Sequence, residues 1–233
     1  TGVNNTLIGG LAGDALTTGS SNTCIGYNSG STLSTGESNI AIGLNALDGE
    51  DTGSKNVAIG QSALGALNFD GNGYNVAVGH DAGKSMTTGT HNVIMGGLAG
   101  DALTTGIQNV AIGYLALSTE DTGSKSVAIG TAALSAQNYD GHAFNTAIGH
   151  DAGAAVTTGV ENTLIGGLAG DALTTGVRNV AIGYEALSAE DTGGNTVAIG
   201  YEALKVQDAG ANTFNVAIGY QAGNCLLYTS PSP

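Results

Sequence analysis

A short motif, Asn-Val-Ala-Ile-Gly or a close variant, recurs along this chain at a fixed spacing. Successive copies are 17, 17, 17 and 19 residues apart, three times over, which gives a super-period of 70 residues. Such a period is the signature of an architecture in which one small unit stacks on copies of itself. We call each copy a rung and number its positions from the first residue of the motif as position zero. The thirteen rungs begin at Asn5, Asn22, Asn39, Asn56, Asn75, Asn92, Asn109, Ser126, Asn145, Asn162, Asn179, Thr196 and Asn215.

Composition excludes several other classes of protein. Glycine makes up 40 of the 233 residues but does not recur at every third position, so the chain is not collagen-like. Periodic β-branched residues and an apolar fraction of 41% disfavour intrinsic disorder. A net charge of −14 without clusters of basic residues predicts no nucleic-acid partner. No apolar run reaches the roughly 18 residues of a membrane span, so we expect no membrane insertion by this segment.

The residue pattern within a rung predicts β-structure. Position +1 is Val, Ile or Thr, position +3 is Ile, Val or Met, and position +4 is Gly in every rung. Alternating β-branched residues followed by glycine indicate a short strand and a sharp corner. Alanine at +7 suggests a second short strand, and the Thr-Gly pair at +13 and +14 of the 17-residue rungs suggests a turn. The prediction is an all-β, parallel β-solenoid of thirteen rungs, forming a single array over residues 1–224.

The middle residue of the motif is alanine in nine rungs. If the β-branched residues at +1 and +3 face inward, alternation turns this alanine column outward, where small side chains would let another chain approach closely. We therefore predict that the column is the interface of a homotrimer. The alternative is a two-layer monomeric core in which alanine fills a narrow gap. The candidate interface residues are Ala41, Ala58, Ala77, Ala111, Ala128, Ala147, Ala181, Ala198 and Ala217.

Bulky residues at +2 coincide with glycine at +5. This covariation predicts that positions +2 and +5 share one crowded volume. The pairs are Leu7 with Gly10, Ile94 with Gly97, and Leu164 with Gly167.

The repeats resemble the heads of trimeric autotransporter adhesins, the YadA-like head family. They are also similar to the Thr-Gly-x-x-Asn-Thr-Ala-Ile-Gly arrays of phage and bacterial tail-fibre proteins. The resemblance covers residues 3–224 and implies a left-handed β-roll in a homotrimer. It further implies an extracellular location, on a bacterial surface or a virion tail fibre. The period departs from that adhesin head, which typically has 14 residues per rung.

Three rungs carry two extra residues immediately before the next motif. Because loops on a rigid scaffold often carry recognition, we expect two of these insertions to form a receptor-facing ridge. The alternative is that Tyr74, Phe144 and Phe214, which end the inserted segments, merely cap the edge of the roll. The candidate receptor-facing residues are Asn68, Phe69, Asp70, Asn72, Asn138, Tyr139, Asp140 and His142.

Enzyme chemistry finds little support in the sequence. The pairs His80-Asp81 and His150-Asp151 recur four rungs apart, too far to share a metal, and are interpreted as surface turns. No complete calcium loop, phosphate loop, nucleophile elbow or zinc spacing is present. We therefore expect no enzyme activity, no metal and no cofactor.

Two functional hypotheses follow from the array. The first is a structural and adhesive module that attaches to a host surface protein or glycan. The second is a monomeric solenoid that binds a flat ligand such as ice through its threonine columns. The final segment, 225–233 (CLLYTSPSP), matches the translation of a sequencing adapter and is predicted to be an assembly artefact.

Overall fold

The computed structural model describes residues 2–224, and the segment interpreted above as adapter-derived, 225–233, lies outside the described residues. Each rung contributes one strand of three residues, at positions +1 to +3. The strands are β1 (Thr6–Ile8), β2 (Thr23–Ile25), β3 (Ile40–Ile42), β4 (Val57–Ile59), β5 (Val76–Val78), β6 (Val93–Met95), β7 (Val110–Ile112), β8 (Val127–Ile129), β9 (Thr146–Ile148), β10 (Thr163–Ile165), β11 (Val180–Ile182), β12 (Val197–Ile199) and β13 (Val216–Ile218).

All thirteen strands form one parallel sheet whose strand order is the sequence order. The register pairs equal rung positions, so that Ala111 lies opposite Ala128. The same register is kept across the 19-residue rungs, since Ala58 lies opposite Ala77. Each strand both donates and accepts across the stack: Val110 N–H donates to the Ser126 carbonyl at 2.9 Å. The prediction of an all-β parallel β-solenoid is confirmed, and residues 2–224 contain no helix.

The predicted second strand of each rung is wrong. Positions +5 to +11 form turns instead, although inter-rung hydrogen bonds continue there, as from Leu47 N–H to the Ala63 carbonyl at 3.0 Å. The physical reason is the backbone conformation at +6 and +8. Leu115 and Leu117, for example, have φ values of 58° and 54°, in the left-handed region that interrupts an extended chain.

Glycine at +4 is required by a close approach between rungs. Gly26 has a φ of 133°, a conformation that L-residues with a side chain rarely adopt. A Cβ built on Gly26 would lie 2.6 Å from the carbonyl oxygen of Gly43, the equivalent residue of the next rung. The predicted corner is therefore confirmed, and its glycine serves both the turn and the stacking.

The expected orientation of the strands is wrong. From β2 to β13 the middle residue is buried, whereas no residue at +1 or +3 is buried. The alanine column thus faces the interior of its own chain, which rules it out as an interface with other chains. As the alternative proposed for the packing, alanine fills a narrow gap inside its own chain, because the turn side of each rung projects larger side chains into the same space. The corrected residues are Ala41, Ala58, Ala77, Ala111, Ala128, Ala147, Ala181 and Ala198, each fully buried, and Ala217, which is 8% exposed.

Each residue larger than alanine at +2 faces glycine at +8, so the bulk at +2 is accommodated at +8 and not at +5. A Cβ on Gly13, at +8, would lie 2.7 Å from Leu7 Cδ2. Where +2 is alanine, as at Ala111, a buried leucine such as Leu117 often occupies +8. Glycine at +5 has a different neighbour, since a Cβ on Gly10 would lie 3.3 Å from the Tyr27 ring.

A ladder of buried asparagines at position zero ties the rungs together. The Asn162 side-chain amide donates to the Gly176 carbonyl at 2.8 Å, and its Oδ1 accepts from Asn179 N–H at 2.9 Å. Where Ser126 interrupts the ladder, Gln137 fills the gap: its Nε2 donates to Ser126 Oγ at 2.9 Å. Gln137 Oε1 accepts from Asn145 Nδ2 at 2.8 Å. The interior is therefore a hydrogen-bonded polar column beside an aliphatic one.

Candidate functional surface

The outer face of the sheet, formed by positions +1 and +3 of the thirteen strands, carries Val, Ile, Thr and Met. Even within the stack these side chains remain accessible, with Met95 40% and Ile148 36% exposed. Parallel sheets are normally covered on both faces. Here the chain itself covers only the inner face, so an apolar strip runs along the outside of the solenoid.

The two inserted loops that were predicted to contact a receptor are fixed to the scaffold on both sides. In the first loop, Ser54 N–H donates to the Gly71 carbonyl at 2.8 Å, and Gly73 N–H donates to the Ser54 carbonyl at 2.9 Å. Asn68 N–H also donates to the Thr87 carbonyl of the following rung at 2.8 Å. The second loop repeats this arrangement around Ser124. Both loops are thus rigid projections of the roll.

Six of the eight candidate loop residues are exposed: Asn68, Asp70, Asn72, Asn138, Asp140 and His142. Phe69 and Tyr139 are only half-exposed, and Phe69 packs against the core. Their backbone N–H groups donate to the buried carboxylates of Glu50 and Glu120, both at 3.3 Å. These two aromatic residues therefore anchor their loops.

The exposed aromatic residues lie one step further along, at the last position before each motif. We call the residues at this position in the central and C-terminal rungs the edge column. All are exposed except Lys125 and Asn195, which are half-buried: Lys55, Tyr74, His91, Gln108, Lys125, Phe144, Glu161, Arg178, Asn195 and Phe214. Tyr74, Phe144 and Phe214 are 47%, 52% and 72% exposed. Sequence reasoning considered these three only as possible edge caps and did not identify the column, although its fixed place before each motif is visible in the sequence.

Two lysines of the edge column lie over aromatic rings in the same geometry. Lys55 Nζ is 5.2 Å from the centroid of the Tyr74 ring, and Lys125 Nζ is 5.3 Å from that of Phe144. Lys55 Nζ also donates to the Tyr74 hydroxyl at 3.2 Å. The contacts are within cation–π range, so each ammonium group is held at a defined place on the surface.

These two lysines are exceptional in their charge environment. Of the five basic residues, Lys84, Arg178 and Lys205 each lie within ion-pair distance of a carboxylate. Within residues 2–224, neither Lys55 nor Lys125 forms an ion pair with a carboxylate, although the chain has 19 acidic residues.

Buried ionisable groups serve the scaffold. Glu50 is fully buried and accepts hydrogen bonds from Gly53 N–H at 2.7 Å and from Phe69 N–H. Burial raises the pKa of the Glu50 carboxyl above its ordinary value, and the bonds from Gly53 and Phe69 partly oppose that shift. Burial also raises the pKa of the Cys24 thiol to about 11, which keeps it protonated and unreactive near neutral pH.

Glu120 and Glu190, the equivalents of Glu50 in the other super-repeats, are also fully buried, whereas the histidines lie at the surface. The His150 and Asp151 side chains are 3.1 Å apart; the histidine is exposed and the aspartate half-buried, as in a surface turn. Glu190, Asp191 and Asp208 bring carboxylate oxygens within 4.8 Å of one another. The position of Asp208 is Asn68 or Asn138 in the other super-repeats, so this acidic cluster is not part of the repeated pattern.

The threonine columns are engaged within the fold. At position +12, the Thr104 hydroxyl donates to the Asp121 carbonyl at 3.0 Å, and the Thr157 hydroxyl donates to the Thr174 carbonyl at 3.2 Å. Because these hydroxyls are hydrogen-bonded to backbone carbonyls of the next rung, the stacking of the rungs sets where the hydroxyl groups lie.

Comparison of the sequence with protein-family models and with curated proteins finds no match. The part of the chain that the structure describes has no helix able to cross a membrane. The fold therefore defines the class: a parallel β-solenoid repeat protein with one bare apolar sheet face and a rigid edge of loops and aromatic residues.

Proposed function

We propose that this chain is a segment of a trimeric fibre or adhesin head that attaches its bearer to a host surface. The observation that carries the proposal is the bare outer face of the sheet, which runs the full length of the array. An exposed apolar strip of this length in a soluble protein marks an interaction surface.

A second copy of the chain is the partner that this face fits best. The strip repeats with every strand, and another copy of the same solenoid offers a surface with the same period. Identical subunits related by cyclic symmetry would bury equivalent strips against one another around a common axis. The three-fold order comes from the resemblance to trimeric adhesin heads and tail fibres, as do the left-handed coil and the extracellular location.

Attachment to a host protein or glycan is proposed from the rest of the surface. Burying the sheet face in a trimer would leave a rigid rod with loops projecting along its sides. Rigid scaffolds of this kind commonly present recognition residues on their loops.

The interface can be tested with outward-facing substitutions, one in each super-repeat. We expect the triple variant Ile42→Glu, Ile112→Glu and Ile182→Glu to shift the mass measured by light scattering from trimer to monomer. Carboxylates placed at +3 would be desolvated on association. The charge-matched control is the triple variant Thr35→Glu, Thr105→Glu and Thr175→Glu, at exposed position +13, which should remain a trimer.

Monomeric wild-type protein would refute the trimer and favour the alternative, a monomeric solenoid with a flat binding face. A trimer that persists in the position +3 triple variant would place the interface elsewhere.

A further inference from the structure

The two unpaired lysines of the edge column are the starting point. Lys55 and Lys125 occupy equivalent positions in successive super-repeats, and each precedes an aromatic residue one rung later. The nitrogen–ring distances, 5.2 and 5.3 Å, are nearly identical. The arrangement is therefore a repeated structural unit, and we call the pair the twin cation sites.

The backbone does not require lysine at these positions. Lys55 and Lys125 have φ values of 62° and 63°, in the left-handed region where glycine and asparagine are favoured. Asn195, the equivalent residue of the third super-repeat, has the same conformation with a φ of 60°. Residues of many types share this conformation along the edge column, such as Tyr74 with a φ of 51° and Glu161 with a φ of 61°, so the backbone does not select lysine, and its ammonium group does not pair with any carboxylate of the described chain.

We propose that the twin cation sites bind carboxylate groups spaced along an acidic glycan chain. Each ammonium group is held by an aromatic ring and is ready to accept an anion. The sites are four rungs apart, about 19 Å at the usual strand spacing, so one extended chain could occupy both.

The chemistry around the sites favours a sparsely charged saccharide. A net charge of −14 repels densely anionic polymers, so nucleic acid is disfavoured. A glycan with widely spaced carboxylates limits that repulsion and can still form ion pairs with both lysine ammonium groups. Hydroxyl-binding groups lie nearby on the edge column, including the Tyr74 hydroxyl and the His91 ring, whose centroid is 5.2 Å from that of Tyr74.

This inference rests on the proposed attachment function, and hyaluronan, with one carboxylate on every second sugar, is a suitable probe. At low salt we expect the double variant Lys55→Gln and Lys125→Gln to bind it about 1.5- to 5-fold more weakly per lysine removed. The charge-matched control is the double variant Lys84→Gln and Arg178→Gln, which removes two cations already paired with carboxylates. It should bind like the wild type.

Two further measurements sharpen the test. Hyaluronan with methyl-esterified carboxyl groups should bind the wild type as weakly as unmodified hyaluronan binds the double lysine variant. The Asn195→Lys variant, which places a lysine one rung before Phe214, as Lys55 lies one rung before Tyr74, should bind hyaluronan more tightly than the wild type.

Absence of wild-type binding to hyaluronan, or equal binding by the wild type and the double lysine variant, would overturn the inference. A change of oligomeric mass in the double lysine variant would also overturn it, because the lysines would then pair with a neighbouring copy. The proposed trimer fails separately, through a monomeric mass for the wild type, whatever the outcome with hyaluronan.

Discussion

The asparagine ladder should contribute more to stability than its small side chains suggest, and Asn162→Ala tests it. Asn162 is fully buried. Its Nδ2 donates to the Gly176 carbonyl at 2.8 Å and its Oδ1 accepts from Asn179 N–H at 2.9 Å. Alanine would leave both backbone groups buried without these partners, whereas the bond from Asn162 N–H to Asn145 Oδ1, at 2.9 Å, would remain.

The expected cost follows from these two groups. An unsatisfied buried donor or acceptor costs about 1–3 kcal/mol, so the variant should lose about 2–6 kcal/mol. For a chain of this length, that loss corresponds to a fall in Tm of roughly 5–20 °C. The measurement is thermal unfolding followed by circular dichroism at one fixed protein concentration, because association would shift Tm by mass action.

Thr175→Ala is the matched control, since Thr175 is exposed and lies one residue before Gly176. It should change the free energy of unfolding by less than about 0.5 kcal/mol. If Asn162→Ala costs no more than this control, the ladder does not hold the rungs together and the reasoning is refuted.

Two further predictions concern the core. Because burial raises the folded-state pKa of Glu50, the protonated form is favoured in the folded protein. The stabilisation that comes from protonated Glu50 should be complete below the unfolded pKa near 4.5 and be lost as pH rises through the higher folded pKa. Tm measured across that window should therefore fall less steeply with pH in Glu50→Gln than in the wild type or in the exposed-site control Glu37→Gln; equal slopes would contradict this. Secondly, Asn56→Ser alone should destabilise the protein, and adding Leu67→Gln and Gly73→Ala should restore stability, because the three changes recreate the packing of Ser126, Gln137 and Ala143. Chemical denaturation of the single and triple variants checks this, and a triple variant no more stable than Asn56→Ser would show that the three positions do not act together.

The sequence by itself determined the period, the position of every strand and the corner glycines. Each of these follows from local chemistry: β-branched residues such as Val110 and Ile112 favour an extended chain, and only glycine fits the corner at Gly113. The equal spacing of the motifs also fixed the parallel, in-order sheet. The functional surface was anticipated only in part, since six of eight loop residues are exposed as expected but the edge column was missed.

Only the tertiary structure decided which face of the strands points inward. Alternation with a period of two defines two faces but not which is buried, and in this chain both faces are apolar. Hydrophobicity favoured Val110 and Ile112 for the interior. The available volume overrides this preference. Leu117 and the Asn109 ladder already occupy the narrow interior, so the small Ala111 side chain is the one that fits there. The same competition for volume explains why each residue larger than alanine at +2 is paired with glycine at +8, a relation that becomes interpretable only when the two positions are seen to face each other.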